Sequence, residues 1–213
     1  GFIEAGCNVV LGIDHWKDAI KTFNHNHKNS KGIVADLFVE SPETISNKTG
    51  IKNVDIIIGG PPCQGFSIAG KRLIEDERNE LYKSFVHFVE YYQPETFLME
   101  NVPNILSMGK GIVKEKIKHD FEKIGYVVNT ETLLSSNYGV PQNRRRSFFI
   151  GFKNGHTFEF PKSDTDNHIS SSEAISDLTE NSLEDGSFYP HPPLSEYQKK
   201  IRNGSKSIFN HEI

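Results

Sequence analysis

The sequence predicts an α/β fold built on a mainly parallel sheet with helices on both faces. Two observations predict it: short, strongly apolar runs of strand length, and amphipathic stretches of ten or more residues that separate them. Such alternation is what a strand buried between two helical layers, followed by a helix returning across the sheet, leaves in a sequence.

The elements follow in order. Gly1 to Gly6 reads as a helix end closed by a glycine cap, leading into the apolar strand Cys7 to Asp14. A helix is expected from Trp16 to about His27 and a short strand from Ile33 to Leu37. The run Val54-Asp55-Ile56-Ile57-Ile58-Gly59-Gly60 has the composition of a central strand. A helix near Glu80 to Tyr92, a strand at Thr96 to Met99 and a helix from Ile112 to Ile124 come next, then strands near Tyr126 to Leu134 and Ser147 to Phe152. In the Ile112 helix, Val113, Ile117, Phe121 and Ile124 share one face and the lysines the other, so those charges read as solvated. After Pro161 the chain becomes polar and serine-rich, and prolines at 190, 192 and 193 accompany few periodic segments. Residues 1–161 are therefore expected to form one domain. Residues 162–213 are expected to be a connector and the start of a smaller, irregular region.

Composition narrows the function classes. A formal charge of −4 argues against a wholly basic nucleic-acid coat but leaves room for local patches at Lys71-Arg72, Arg144-Arg145-Arg146 and Lys199-Lys200 with Arg202. No apolar run approaches the roughly 20 residues of a membrane-spanning helix, and Gly1 to Gly6 lacks the order of a signal peptide; a cytoplasmic location and no membrane partner are expected. Two separated cysteines, Cys7 and Cys63, predict neither a disulfide framework nor a zinc site. What remains is thiol chemistry at one of them.

Three motifs carry that chemistry. Gly59-Gly60-Pro61-Pro62-Cys63-Gln64-Gly65-Phe66-Ser67 follows the central strand directly, at the carboxyl end where open α/β sheets bind ligands. A lone cysteine is more often a small buried hydrophobe. Here two prolines stiffen its approach and Gly65 lets the chain turn away, which suits a thiol held in one exposed place. Phe97-Leu98-Met99-Glu100-Asn101-Val102-Pro103 is a second apolar strand ending in a carboxylate, which taken alone reads equally well as a helix cap or a solvated strand end. Tyr138-Gly139-Val140-Pro141-Gln142-Asn143-Arg144-Arg145-Arg146 leads into a third strand; if the chain is extended from Arg144 onward, Arg144 and Arg146 share one face. Taken alone, three arginines are more often surface charge.

Thiolate, carboxylate and paired guanidinium make sense together on one substrate. Carbon 5 of cytosine is a poor nucleophile, but a thiolate added at carbon 6 turns the ring into an enamine that attacks an electrophilic methyl group through carbon 5. A carboxyl group at N3 and the exocyclic amine favours protonation there, and an arginine at O2 offsets developing charge.

On Pro61-Pro62-Cys63-Gln64, Glu100-Asn101-Val102, and Gln142 with Arg144 and Arg146, the sequence resembles the cytosine-C5 DNA methyltransferases of bacterial restriction-modification systems. The resemblance spans nearly the whole chain. It implies a Rossmann-like S-adenosylmethionine-dependent methyltransferase fold. It also implies that Cys63 attacks carbon 6, Glu100 binds the N3 and amine edge, Arg146 contacts O2 and Arg144 helps hold that arrangement. Gln64, Gly65, Ser67, Asn101 and Gln142 are expected on the substrate side, with the loop Gly65 to Arg78, including Lys71 and Arg72, as a lid. For the cofactor, Asp14 is expected at the ribose hydroxyls, Asp36 at the adenine amine, His15 against the adenine ring, and Pro62 and Leu81 on the methionine side. Double-stranded DNA is the expected partner, with the target base flipped out, a monomer the expected state, and a restriction endonuclease a separate companion. The family's glycine-rich first loop and closing asparagine segment have no match, so the chain is expected to be truncated at both ends. Methylation of transfer RNA, a catalytically incomplete nucleotide-binding fragment, and a cysteine hydrolase or redox enzyme are the alternatives; the last lacks a convincing His partner or second nearby cysteine.

Overall fold

A computed structural model describes residues 1–62, 80–153, 155–156, 158–163, 168–178 and 187–202, with the side chains of residues 80 and 81 outside it. The chain divides into two compact units, Gly1–Glu131 with Ser147–Glu159, and Thr132–Arg146 with Phe160–Ile213.

The first unit begins with the expected helix end. Cys7 N–H donates to Phe2 O and Gly6 N–H to Ile3 O, with Gly6 at φ +88°, which is the double closure that glycine makes possible at a helical C-terminus. Strand β1 (Leu11–Asp14) runs parallel to β2 (Lys31–Val34) through helix α1 (Lys17–Asn26), in register Leu11↔Lys31 to Asp14↔Val34. Helix α2 (Pro42–Thr49) was not expected from apolar periodicity, since Ile45 is its one large apolar residue in the core. Its ends are nonetheless written in the sequence: the Ser41 hydroxyl accepts Thr44 N–H, Pro42 stands in the first turn, and Gly50 closes the helix at φ +79°.

Strands β3 (Ile56–Gly59), β4 (Thr96–Asn101), β5 (Tyr126–Leu134) and β6 (Arg145–Lys153) form a second sheet in the order β3-β4-β6-β5. β3 and β4 are parallel, joined through helix α3 (Glu80–Tyr92); β4 and β6 are antiparallel, in register Thr96↔Phe152 to Asn101↔Ser147. The parallel pattern therefore holds on one side of β4 and reverses on the other. Helix α4 (Ile112–Lys123) buries Val113, Ile117 and Phe121, the stripe that its sequence spacing marks out.

The aromatic centre of the unit decides its register. Phe97 stacks on Phe121 with centroids 3.9 Å apart and meets Tyr126 and Phe85 edge-on. Its ring lies where a Cβ on Gly151, its partner across the β4–β6 pair, would come within 2.1 Å, so that position excludes any side chain. Burial alternates along β4, with Phe97, Met99 and Asn101 buried and Thr96, Leu98 and Glu100 half-buried on the opposite face. That parity separates Glu100 from Asn101.

The second unit contains helices α5 (Ser171–Ile175) and α6 (Glu196–Arg202) in a region expected to be irregular. The Ser170 hydroxyl caps α5 by accepting Glu173 N–H, and the Ser195 hydroxyl accepts Gln198 N–H at the start of α6. Polar side chains hold them together. Gln198, 1% exposed, donates to Glu173 O and the Ser176 hydroxyl and accepts Leu194 N–H, while Arg202 pairs with buried Asp177 and lies over the Tyr189 ring, 3.7 Å to its centroid. No helix among the described residues is long and apolar enough to cross a membrane.

Candidate functional site

Each acid singled out in the sequence stands at or just beyond the carboxyl end of a strand. Asp14 closes β1, where its Oδ1 accepts Trp16 N–H at 2.7 Å and lies 3.4 Å from His15 Nδ1. Asp36 follows β2 by two residues, and its Oδ1 accepts Phe38 N–H at 2.9 Å. In both cases a carboxylate oxygen is tied to the backbone two residues on, which fixes the turn and aims the group. His15 is exposed, and so are Trp16, at 63%, and Phe38, at 50%. Two carboxylates in backbone-fixed turns beside exposed aromatic surface suit a nucleoside, whose sugar hydroxyls and ring amine need acceptors and whose base needs an apolar face. Among the described residues no group of three His, Cys, Asp or Glu could hold a metal ion.

The end of β4 is built more tightly. Glu100 carries its Oε2 3.3 Å from where a Cβ on Gly60 would stand, so the chain leaving β3 passes close beside this carboxylate because glycine is there. Asn101, on the core face and 5% exposed, donates from Nδ2 to Pro61 O at 2.8 Å, and its Oδ1 accepts Val102 N–H at 2.9 Å. Its amide ties the end of β4 to the chain that leaves β3, and a buried Asn whose donor and acceptor both meet backbone is a clamp on that chain. The sequence signal for this was the parity of β4, since Asn101 stands two residues after Met99 and four after Phe97. Pro61 is half-buried and Pro62 exposed. Cys63, Gln64, Gly65, Ser67, Lys71, Arg72 and the side chain of Leu81 lie outside the described residues.

The arginine motif lies in the second unit. The strand starts at Arg145, so the extension expected from Arg144 does not begin there. Instead Gln142 N–H donates to Val140 O at 2.7 Å and Arg144 N–H to Gln142 O at 3.0 Å, two successive three-residue turns made where Pro141 and Asn143 sit. Gln142 and Arg144 are exposed and Arg146 half-buried, and one guanidinium nitrogen of Arg146 donates to Arg145 O at 2.7 Å. Ser135, which sequence reasoning passed over, holds this segment through backbone and hydroxyl alike. Tyr138 OH donates to Pro161 O, and the Ser171 hydroxyl to Pro141 O.

Comparison with known proteins identifies the family and the fold. A family model described as C-5 cytosine-specific DNA methylase matches residues 1–212. The Type II methyltransferase M.DdeI of Desulfomicrobium norvegicum is 40% identical over 99% of this chain and 53% of its own length. M.AgeI of Thalassovita gelatinovora is 33% identical over 99% of this chain and 56% of its own. The chain thus spans about half the length of these relatives. A crystal structure described as a DNA modification methyltransferase encoded within an E. coli prophage superposes with a TM-score of 0.68 at 29% identity, over 86% of this chain and 52% of that one. The Rossmann-like methyltransferase architecture expected from the motifs is the one found.

Proposed function

The chain belongs to the C-5 cytosine-specific DNA methylase family, and from that premise we propose that the protein methylates carbon 5 of cytosine in duplex DNA through a covalent bond from Cys63 to carbon 6. The observation that carries the reading is the Asn101–Pro61 hydrogen bond: it holds the chain two residues ahead of Cys63 against the strand end that bears Glu100. Thiol and carboxyl group then approach one ring from adjoining strand ends.

In this reading the Cys63 thiolate adds to carbon 6 while the Glu100 carboxyl group holds N3 and the exocyclic amine and favours a proton at N3. Arg146 faces O2 and Arg144 supports it, so charge that develops on the ring meets fixed cations. Carbon 5 becomes nucleophilic as the C6–S bond forms; after methylation, loss of the carbon-5 proton and departure of the thiolate restore the aromatic ring. S-adenosylmethionine, when bound, supplies the electrophilic methyl group. Asp14 would hold its ribose hydroxyls, Asp36 its adenine amine and His15 its ring, with Pro62 and Leu81 toward the methionine; the backbone-fixed carboxylates suit that assignment. The base must leave the stack to reach these groups, at a cost of a few kcal/mol. Gln64, Gly65, Ser67 and Gln142 are placed on the substrate side, residues 162–213 begin the region that selects the DNA sequence, and an endonuclease of matching specificity is the expected companion.

The test is transfer of labelled methyl groups from S-adenosylmethionine to duplex DNA and, separately, to transfer RNA. Label in duplex cytosine, falling by about 10⁴-fold in Cys63→Ser, is expected for a lost nucleophile. Label in transfer RNA alone would overturn the assignment.

A further inference from the structure

We propose that Ser135 is a positioning residue that sets the spacing of Gln142 and Arg144. The proposal rests on the reading that Gln142 and Arg146 meet the target nucleotide and that Arg144 supports Arg146. Ser135 stands just past the end of β5, at the start of a 3-10 turn that Gly139, at φ +77°, brings to a close. Its backbone N–H donates to Arg144 O at 2.9 Å and its carbonyl accepts Val140 N–H at 3.3 Å. Its hydroxyl does both jobs at once, donating to Gln142 O at 2.6 Å and accepting Arg144 N–H at 3.1 Å.

The hydroxyl therefore bridges the two ends of the three-residue turn centred on Asn143. Such a turn closes a single short ring and has little stiffness of its own, and Gln142 and Arg144 are exposed, so side-chain packing does not hold them. The hydroxyl bridge adds side-chain restraint to the backbone bonds Ser135 N–H to Arg144 O and Arg144 N–H to Gln142 O, and it is the part that alanine removes. A group that both donates and accepts at one oxygen is required, which threonine can supply and alanine cannot.

The experiment measures steady-state methyl transfer to duplex DNA in the intact protein, with Ser135→Ala, Ser135→Thr and Arg144→Ala compared with the parent. Ser135→Ala is expected to lower kcat by roughly 10- to 100-fold, the size of effect that displacement of a positioned group produces. The KM for S-adenosylmethionine stays at the parental value, exchange of the Arg144 amide hydrogen accelerates, and Ser135→Thr restores both. Parental kcat in Ser135→Ala, with Arg144→Ala inactive, would overturn the role of Ser135 alone. Parental kcat in Arg144→Ala would instead overturn the reading of the arginines on which it rests. If Ser135→Ala does not fold, the threonine variant decides: activity within about threefold of the parent upholds the bridge, and a folded but inactive protein refutes it.

Discussion

The two units of this chain hold themselves together by different physics. In the first, Phe97, Phe121, Tyr126 and Phe85 pack as an aromatic centre within an apolar core. In the second, the corresponding work falls to Gln198 and to the Asp177–Arg202 pair under the Tyr189 ring. Apolar packing is non-directional, and its loss scales with the surface and cavity left behind, whereas a buried polar cluster depends on each group finding its partner. The contrast predicts that single substitutions will damage the two units in distinguishable ways.

The largest effect is expected from Phe97→Ala, which removes the ring at the centre of the first unit and should lower stability by about 4 kcal/mol, with little dependence on salt. Equilibrium urea denaturation checks this, and a loss below about 1 kcal/mol would mean that the aromatic centre is not what stabilises the sheet. Asp177→Ala should cost about 3 kcal/mol by leaving the Arg202 charge buried without its partner. Replacing both by leucine should recover most of the loss, because the unpaired charge is the damage rather than the missing attraction. Equal losses in the single and double variants would contradict this. Smallest is Tyr126→Phe, at about 1 kcal/mol, since Tyr126 OH donates to Pro94 O at 2.6 Å.

Tyr126 also carries a pH signature. Burial, reinforced by the Glu95 carboxylate, pushes its hydroxyl up to about 12 from 10.0, so the folded state favours the protonated form. Its contribution is complete below the unfolded value of 10 and is lost as pH rises from there through about 12. An alkaline titration of stability should show a fall across that interval in the parent and a shallower one in Tyr126→Phe.

The same contrast explains what was legible in the sequence. Strands and helices of the first unit announce themselves because apolar residues recur at strand or helix spacing, as in Ile56 to Ile58 or Val113, Ile117 and Phe121. Helix α2 escaped because one isoleucine is not a period, although Ser41, Pro42 and Gly50 spell its caps. Among the described residues of the second unit, the buried positions are polar, Ser136, Asp177, Gln198 and Arg202, so a pattern that looks for apolar residues passes over them. Among the candidate site residues, Glu100 and Asp14 were readable as acids that end strands. The buried clamp of Asn101 depends on the parity of β4. The turns around Asn143 depend on Ser135, through bonds between residues seven and nine apart that no local pattern encodes.

Covalent attack by the Cys63 sulfur is tested most directly on duplex DNA in which 5-fluorocytosine replaces cytosine. Fluorine at carbon 5 cannot leave as a proton, so an adduct at carbon 6 that has taken up a methyl group is unable to eliminate the thiolate. With S-adenosylmethionine present, a complex that survives denaturation is expected, with peptide mapping placing the link on Cys63 and no complex in Cys63→Ser. Methylation of ordinary duplex DNA at an undiminished rate by Cys63→Ser, or an adduct mapped to another residue, would contradict it.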